Sequence, residues 1–179
     1  LLIGGGVGIP PMIFVAQRLR GNQDFAPLVL MGSELPFPFE VDTATIEVPG
    51  MPPMATAAMR LLEEWGVPSR LASNAGIAGA YPGFVPTLAR DWLRTLPPEA
   101  LSETQLLACG PEPMLRATAA LAREYELPCQ LALEEYMACG VGGCAGCTVL
   151  VRTPAGPAMK RVCVDGPVFE AADVYPASH

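Results

Sequence analysis

The chain has 179 residues, 51% of them hydrophobic and 16% charged, with a formal net charge of −7. That length accommodates one ordinary domain plus a small appended module, and the apolar fraction supports a buried core and excludes a disordered chain. The acidic balance argues against a nucleic-acid partner, which would need basic patches. Apolar runs such as Leu28–Met31 and Thr148–Val151 are too short to span a bilayer, and no basic amphipathic segment suits a membrane surface.

The chain opens on Leu1-Leu2-Ile3-Gly4-Gly5-Gly6, inside a strand–loop–helix motif and without an initiator Met or signal peptide. This predicts an upstream domain outside these residues. Leu1–Ile3 reads as a strand, and Pro11–Arg20 as a helix stopped by Gly21. Pro27–Met31 is a second strand, followed by a proline-rich irregular connection over Ser33–Pro53. Helical spacing covers Ala55–Trp65, Arg70–Ser73 is a third strand, and a glycine-rich loop (Asn74–Gly83) leads into a helix over Pro86–Leu96. Gln105–Cys109 is a fourth strand, Pro111–Tyr125 a helix with prolines in its first turn, and Cys129–Leu133 a fifth strand. Strands alternating with helices of this length predict parallel βαβ units, hence an α/β fold with a doubly wound parallel sheet over residues 1–135.

After Glu135 the texture changes. Glycine and cysteine dominate, followed by a strand over Thr148–Arg152, a Pro-Ala-Gly-Pro turn and an extended piece over Lys160–Val164. No helix is expected there, and residues 136–179 read as a separate small β-rich module built around cysteines.

The spacing Cys139-x4-Cys144-x2-Cys147-x15-Cys163 is that of a plant-type 2Fe–2S centre. One short loop wraps the cluster with three thiolates while the fourth arrives from elsewhere. Gly140, Gly142, Gly143 and Gly146 permit the wrap and let backbone N–H groups point at sulfur. A zinc site is the main alternative, although only Cys144–Cys147 has the knuckle form. A thioredoxin-type redox pair would precede a helix, and a disulfide framework fits the clustering poorly. Clustered thiols of this kind point to a reducing, cytoplasmic setting.

Gly4-Gly5-Gly6-Val7-Gly8-Ile9-Pro10-Pro11 follows a strand and opens a helix, the context of a pyrophosphate site. A plain structural turn is the alternative, since prolines stand where the dinucleotide fingerprint has its third glycine. Cys109-Gly110-Pro111-Glu112-Pro113-Met114 ends the fourth strand, where open α/β sheets bind ligands; Cys109 as a packed strand residue is the competing reading. Asn74 and Gly76 could border the same crevice. The absence of Lys and Arg from Pro27 to Met59 favours NAD over NADP, because a 2′-phosphate wants a cation there. Glu134 and Glu135 read as a charged edge flanking the cluster, Cys129 as a sheet-packing residue, and His179 receives no role. No side chain reads as a catalytic acid, base or nucleophile. Because a nicotinamide moves a hydride and a 2Fe–2S cluster single electrons, a flavin must couple them, and none of these residues looks like a flavin domain. An FAD domain is therefore expected upstream.

In this order the motifs resemble the electron-transfer subunit family of NAD-dependent dihydroorotate dehydrogenase, within the ferredoxin-reductase superfamily. The resemblance is sharpest at Leu133-Glu134-Glu135-Tyr136-Met137-Ala138-Cys139-Gly140 through Cys147, and at Lys160-Arg161-Val162-Cys163-Val164-Asp165-Gly166-Pro167-Val168-Phe169. It implies a subunit that carries FAD and the cluster and passes electrons from the FMN of a separate catalytic subunit to NAD, in pyrimidine biosynthesis. Asn74 and Ala75 depart from the acidic residues usual in that loop. Two other readings stand beside it: a relative that serves a ferredoxin or a hydrogenase, and a zinc-stabilised binding module.

Overall fold

The five expected strands form because short β-rich runs are bracketed by glycine, proline and helix starts; the strands at residues 2–5, 29–32 and 69–72 are almost wholly buried, while those at 106–109 and 129–132 alternate buried and half-buried positions. The computed structural model describes residues 1–177; His179 lies outside them. In chain order the elements are β1 Leu2–Gly5, a 3-10 turn Gly6–Gly8, α1 Ile9–Leu19, β2 Val29–Gly32, β3 Val41–Thr43, β4 Ala57–Met59, α2 Arg60–Glu64, β5 Ser69–Ala72, α3 Val85–Leu93 and α4 Pro98–Ser102. They continue with β6 Leu106–Cys109, α5 Glu112–Glu124, β7 Cys129–Ala132, β8 Thr148–Thr153, β9 Gly156–Arg161, α6 Val162–Asp165, β10 Val168–Glu170 and α7 Ala171–Val174.

The main sheet has the order β10-β7-β6-β1-β2-β5. All pairings from β7 to β5 are parallel, and β10 joins β7 antiparallel. Side chains alternate across it. Ile3, Leu30, Leu106 and Leu131 face a layer containing Leu88 and Leu93 of α3 and Leu115 and Leu121 of α5. Leu2, Val29, Met31 and Leu71 face Ile9, Met12 and Ala16 of α1 and Leu62 of α2. Helices thus cover both faces, so the α/β doubly wound expectation holds. Leu30 is fully buried in β2, beside β1. Leu30→Ala should lower stability by about 2–5 kcal/mol, read as a lower urea midpoint.

Three expectations are corrected. The helix over Ala55–Trp65 is instead β4 followed by the short α2. The N–H groups of Thr56 and Ala57 donate to Gly79 O and that of Met59 to Ser69 Oγ, partners outside any helix, while β4 pairs with β3. The cysteine-bearing tail was expected to hold no helix, yet α6 and α7 each make one turn. The extended piece expected over Lys160–Val164 accordingly stops at Arg161, where the Asp165 carboxylate accepts the Arg161 backbone N–H at 2.7 Å and closes the turn. The tail is also tied to the sheet: β10 extends it at β7, and Cys147, Val162 and Ala171 belong to the α3/α5-side core. Among the described residues no helix is long and apolar enough to cross a membrane.

Candidate functional site: a sheet crevice and a cysteine wrap

The chain leaves β1 toward β2 and β5, then returns to the other side of β1 as β6. The connections diverge between β1 and β6, the position where open α/β sheets make a ligand crevice. Both glycine-bearing motifs end there, although about a hundred residues separate them. They pack backbone to backbone: a Cβ added to Gly8 would overlap the Cys109 carbonyl and lie 2.5 Å from Gly110 N. A Cβ on Gly5 would meet Met114 Sδ at 2.5 Å and Pro111 Cδ at 3.2 Å. Gly4 is confined less tightly, its Cβ position lying 3.0 Å from Ile9 Cα, whereas Gly6 opens to solvent.

The 3-10 turn Gly6–Gly8 runs into α1, whose first turn holds no acidic residue and carries proline at its start. Pro10 and the following proline have no N–H, so donors to an anion must come from the glycine segment, aided by the positive end of the helix dipole. Cys109 is half-buried on the α1 side. Burial first, and the nearby Glu134 carboxylate second, push its thiol above the ordinary range, so it stays neutral. The charge of Glu134, expected at the edge of the cluster, reaches Cys109, and with Gly110, Arg116, Leu150 and Tyr175 this residue lines a cavity of about 460 Å³ between the crevice corner and the β8–β9 hairpin.

Asn74 and Gly76 sit on the loop after β5, at the same end of the sheet but on its edge strand. That loop is fastened elsewhere, with Gly79 O accepting from Thr56 and Ala57 N–H and Ser73 Oγ from Ala75 N–H. Cys129 packs in the core as expected, and burial drives its thiol up to about 12.

The other four cysteines are free thiols around the loop that follows β7 and the turn that follows β9. Cys139 and Cys144 are exposed, Cys163 is half-buried and Cys147 is 3% exposed. Backbone donors surround them: Cys144 N–H points at Cys139 Sγ and Gly146 N–H at Cys144 Sγ, each at 3.4 Å. The Val141 N–H is the largest influence on Cys139, followed by Cys144 and then Gly143, and together they pull its thiol down to about 6. The Cys163 backbone N–H does the same for Cys147, whose sulfur also accepts the Cys163 thiol; that donation in turn holds Cys163 up. The wrap and the turn are joined by Val162 N–H donating to Cys147 O at 3.0 Å.

Thiolates stabilised by backbone N–H groups are the donors that iron in a sulfide cluster requires. The thiols stand as two pairs, Cys139 with Cys144 and Cys147 with Cys163, and the Cys139 charge reaches Cys163. Among the described residues no three Cys, His, Asp or Glu side chains converge on one point suited to a single metal ion. One contribution invisible in the spacing is Arg161, which crosses from the end of β9 to donate to Gly142 O in the wrap.

Residues 134–175 match the family model of the iron–sulfur cluster binding domain of dihydroorotate dehydrogenase B. The chain is 31% identical, over 97% of its length and 58% of the relative's, to the dihydroorotate dehydrogenase B (NAD(+)) electron transfer subunit of Caldanaerobacter subterraneus. It is 35% identical to that of Geobacillus kaustophilus, over 97% of this chain and 56% of the relative. It therefore spans little more than half the length of the relatives it matches. A solved structure described as an NADH-dependent reduced ferredoxin-NADP oxidoreductase, studied for flavin-based electron bifurcation, superposes with a TM-score of 0.64. That match is at 26% identity and covers 97% of this chain and 52% of the other.

Proposed function

We propose that this chain, related along nearly its whole length to the electron transfer subunits of dihydroorotate dehydrogenase B and carrying their type of iron–sulfur domain, relays electrons between a catalytic subunit and NAD. The observation that carries this reading is the presence, on one fold, of a dinucleotide-type crevice and a wrap of paired, N–H-supported thiols. Cys139, Cys144, Cys147 and Cys163 would hold a 2Fe–2S cluster. Two pairs match a cluster of two irons better than a single tetrahedral zinc, which needs four ligands at one point.

Residues 1–135 would take the nucleotide and residues 136–179 the cluster. Gly4, Gly5 and Gly8 keep the β1 loop close to the sheet, and its backbone N–H groups with the α1 terminus bind the pyrophosphate. Cys109, Gly110, Pro111 and Met114 form the corner for the nicotinamide end, with a neutral thiol that, unlike a thiolate, does not add to the ring. Asn74 and Gly76 border the adenosine side, and the cation-free stretch Pro27–Met59 suits NAD. The cluster supplies one-electron exchange; coupling it to a hydride needs a flavin, taken as FAD bound outside these residues, and FMN on the catalytic subunit is the other terminus.

The test is anaerobic reconstitution followed by metal and sulfide analysis and low-temperature EPR of the reduced protein. Two irons, two sulfides and a one-electron EPR signal are expected; a colourless, EPR-silent chain with one zinc would sink the redox reading. The structural neighbour, a ferredoxin-NADP oxidoreductase, favours one second reading, a chain serving a ferredoxin. Co-purification of a dihydroorotate-oxidising subunit supports the first, and rapid exchange with ferredoxin alone supports the second.

A further inference from the structure

Arg161 has no part in the sequence motifs' chemistry, yet it links the two cysteine-bearing segments. Its Nη1 donates to Gly142 O at 3.1 Å, and its Nε and backbone N–H both donate to Asp165 Oδ2, at 3.3 and 2.7 Å. Gly142 lies between Cys139 and Cys144 with φ +82°, in the segment where the Cys144 N–H points at the Cys139 sulfur at 3.4 Å. A Cβ there would press on Val164 at 3.1 Å and on Arg161 Nη1 at 3.3 Å, so guanidinium and glycine are fitted to each other. The same short segment thus accepts from Arg161 at Gly142 O and offers an N–H to a cysteine sulfur at Cys144.

We propose that Arg161 is a positioning residue for the iron–sulfur cluster: by holding Gly142 it fixes the wrap that aims the Cys144 N–H at the Cys139 sulfur, and its charge, balanced by Asp165, raises the cluster's reduction potential. The inference rests on the cluster reading above. Its physics is that hydrogen bonds to sulfur and nearby positive charge favour the more negative, reduced cluster. Asp165 works against it, because a carboxylate on the guanidinium cancels part of that charge. The side chains are 44% and 29% exposed, so solvent screens the charge and leaves the Gly142 contact as the larger effect.

The experiment compares the reconstituted full chain with R161Q, R161K and D165N, measuring the midpoint potential by EPR-monitored redox titration and iron release to a chelator. R161Q should have a lower midpoint and lose iron about tenfold faster, the usual scale for an outer-shell ligand partner. R161K keeps the charge without the fork and should fall between R161Q and wild type. D165N, which retains an acceptor for the turn, should have a midpoint above wild type. Should R161Q assemble no cluster, the sign of the D165N shift decides. An R161Q midpoint equal to wild type, or a D165N midpoint at or below it, overturns the inference while leaving the cluster reading intact. A wild-type chain without iron and sulfide overturns both.

Discussion

Cys147→Ser should strip the chain of most of its iron and sulfide and abolish the EPR signal of the reduced protein, while the parallel sheet stays folded. Serine is nearly the same size, so the change is chemical: a hydroxyl does not ionise in the range where a thiol does, and it is a poor partner for iron. The site is also sensitive structurally. Cys147 is 3% exposed within the α3/α5-side core, its carbonyl takes the Val162 N–H, and its sulfur takes both the Cys163 thiol and the Cys163 backbone N–H. A serine there buries a more polar atom, and the apoprotein should lose about 1–2 kcal/mol. Cys139→Ser separates the two effects. That residue is exposed, so the cluster should be lost with the apoprotein's urea midpoint unchanged. Cys129→Ser is the control, since that thiol is buried in β7 and held up to about 12, out of reach of metal chemistry. Full cluster content in both Cys139→Ser and Cys147→Ser would remove these residues from the ligand set.

The cysteine wrap was legible because it is local: three cysteines within nine residues need only loop geometry, and the glycines between them announce it. The five parallel strands were legible for a related reason. β1, β2 and β6 are continuous apolar runs, and in β5 and β7 a single Arg70 or Gln130 interrupts runs too short for a helix and set between helical patterns. Ala57–Met59 defeated the pattern because alanine and methionine are good helix formers, and only partners from Gly79 and Ser69 make them a strand. Val168–Glu170 could not be assigned locally either, since three residues become a strand only by pairing with β7. Arg161 shows the same limit at the candidate site. It stands two residues from Cys163, inside a motif already noticed, but its partner Gly142 is nineteen residues away and the contact is made by the return of the hairpin.

Gly8→Ala should be the most damaging change in the crevice, in stability and nucleotide affinity together. The position of the missing Cβ is taken by backbone of the fourth parallel strand, Cys109 and Gly110, rather than by a side chain that could turn away. Relief requires β1 and β6 to part at their carboxyl ends or the 3-10 turn to unwind. Both strands are held by parallel pairing from Leu2–Leu107 to Gly4–Cys109, and α1 begins one residue later with Ile9 buried. The cost is therefore overpacking against fixed atoms, about 3 kcal/mol, read as a lower urea midpoint. The displaced turn should also mis-aim the N–H groups at the α1 terminus, weakening NAD binding by at least about tenfold. Gly6→Ala is the useful contrast, because no atom lies within 4 Å of its Cβ position and its φ of +53° makes the penalty conformational alone. It should cost about 1 kcal/mol and leave the β1–β6 contact intact. Equal losses in the two variants would mean that the close approach of the two loops is not what holds the crevice together, whereas a large loss confined to Gly8→Ala places that junction at the centre of the nucleotide site.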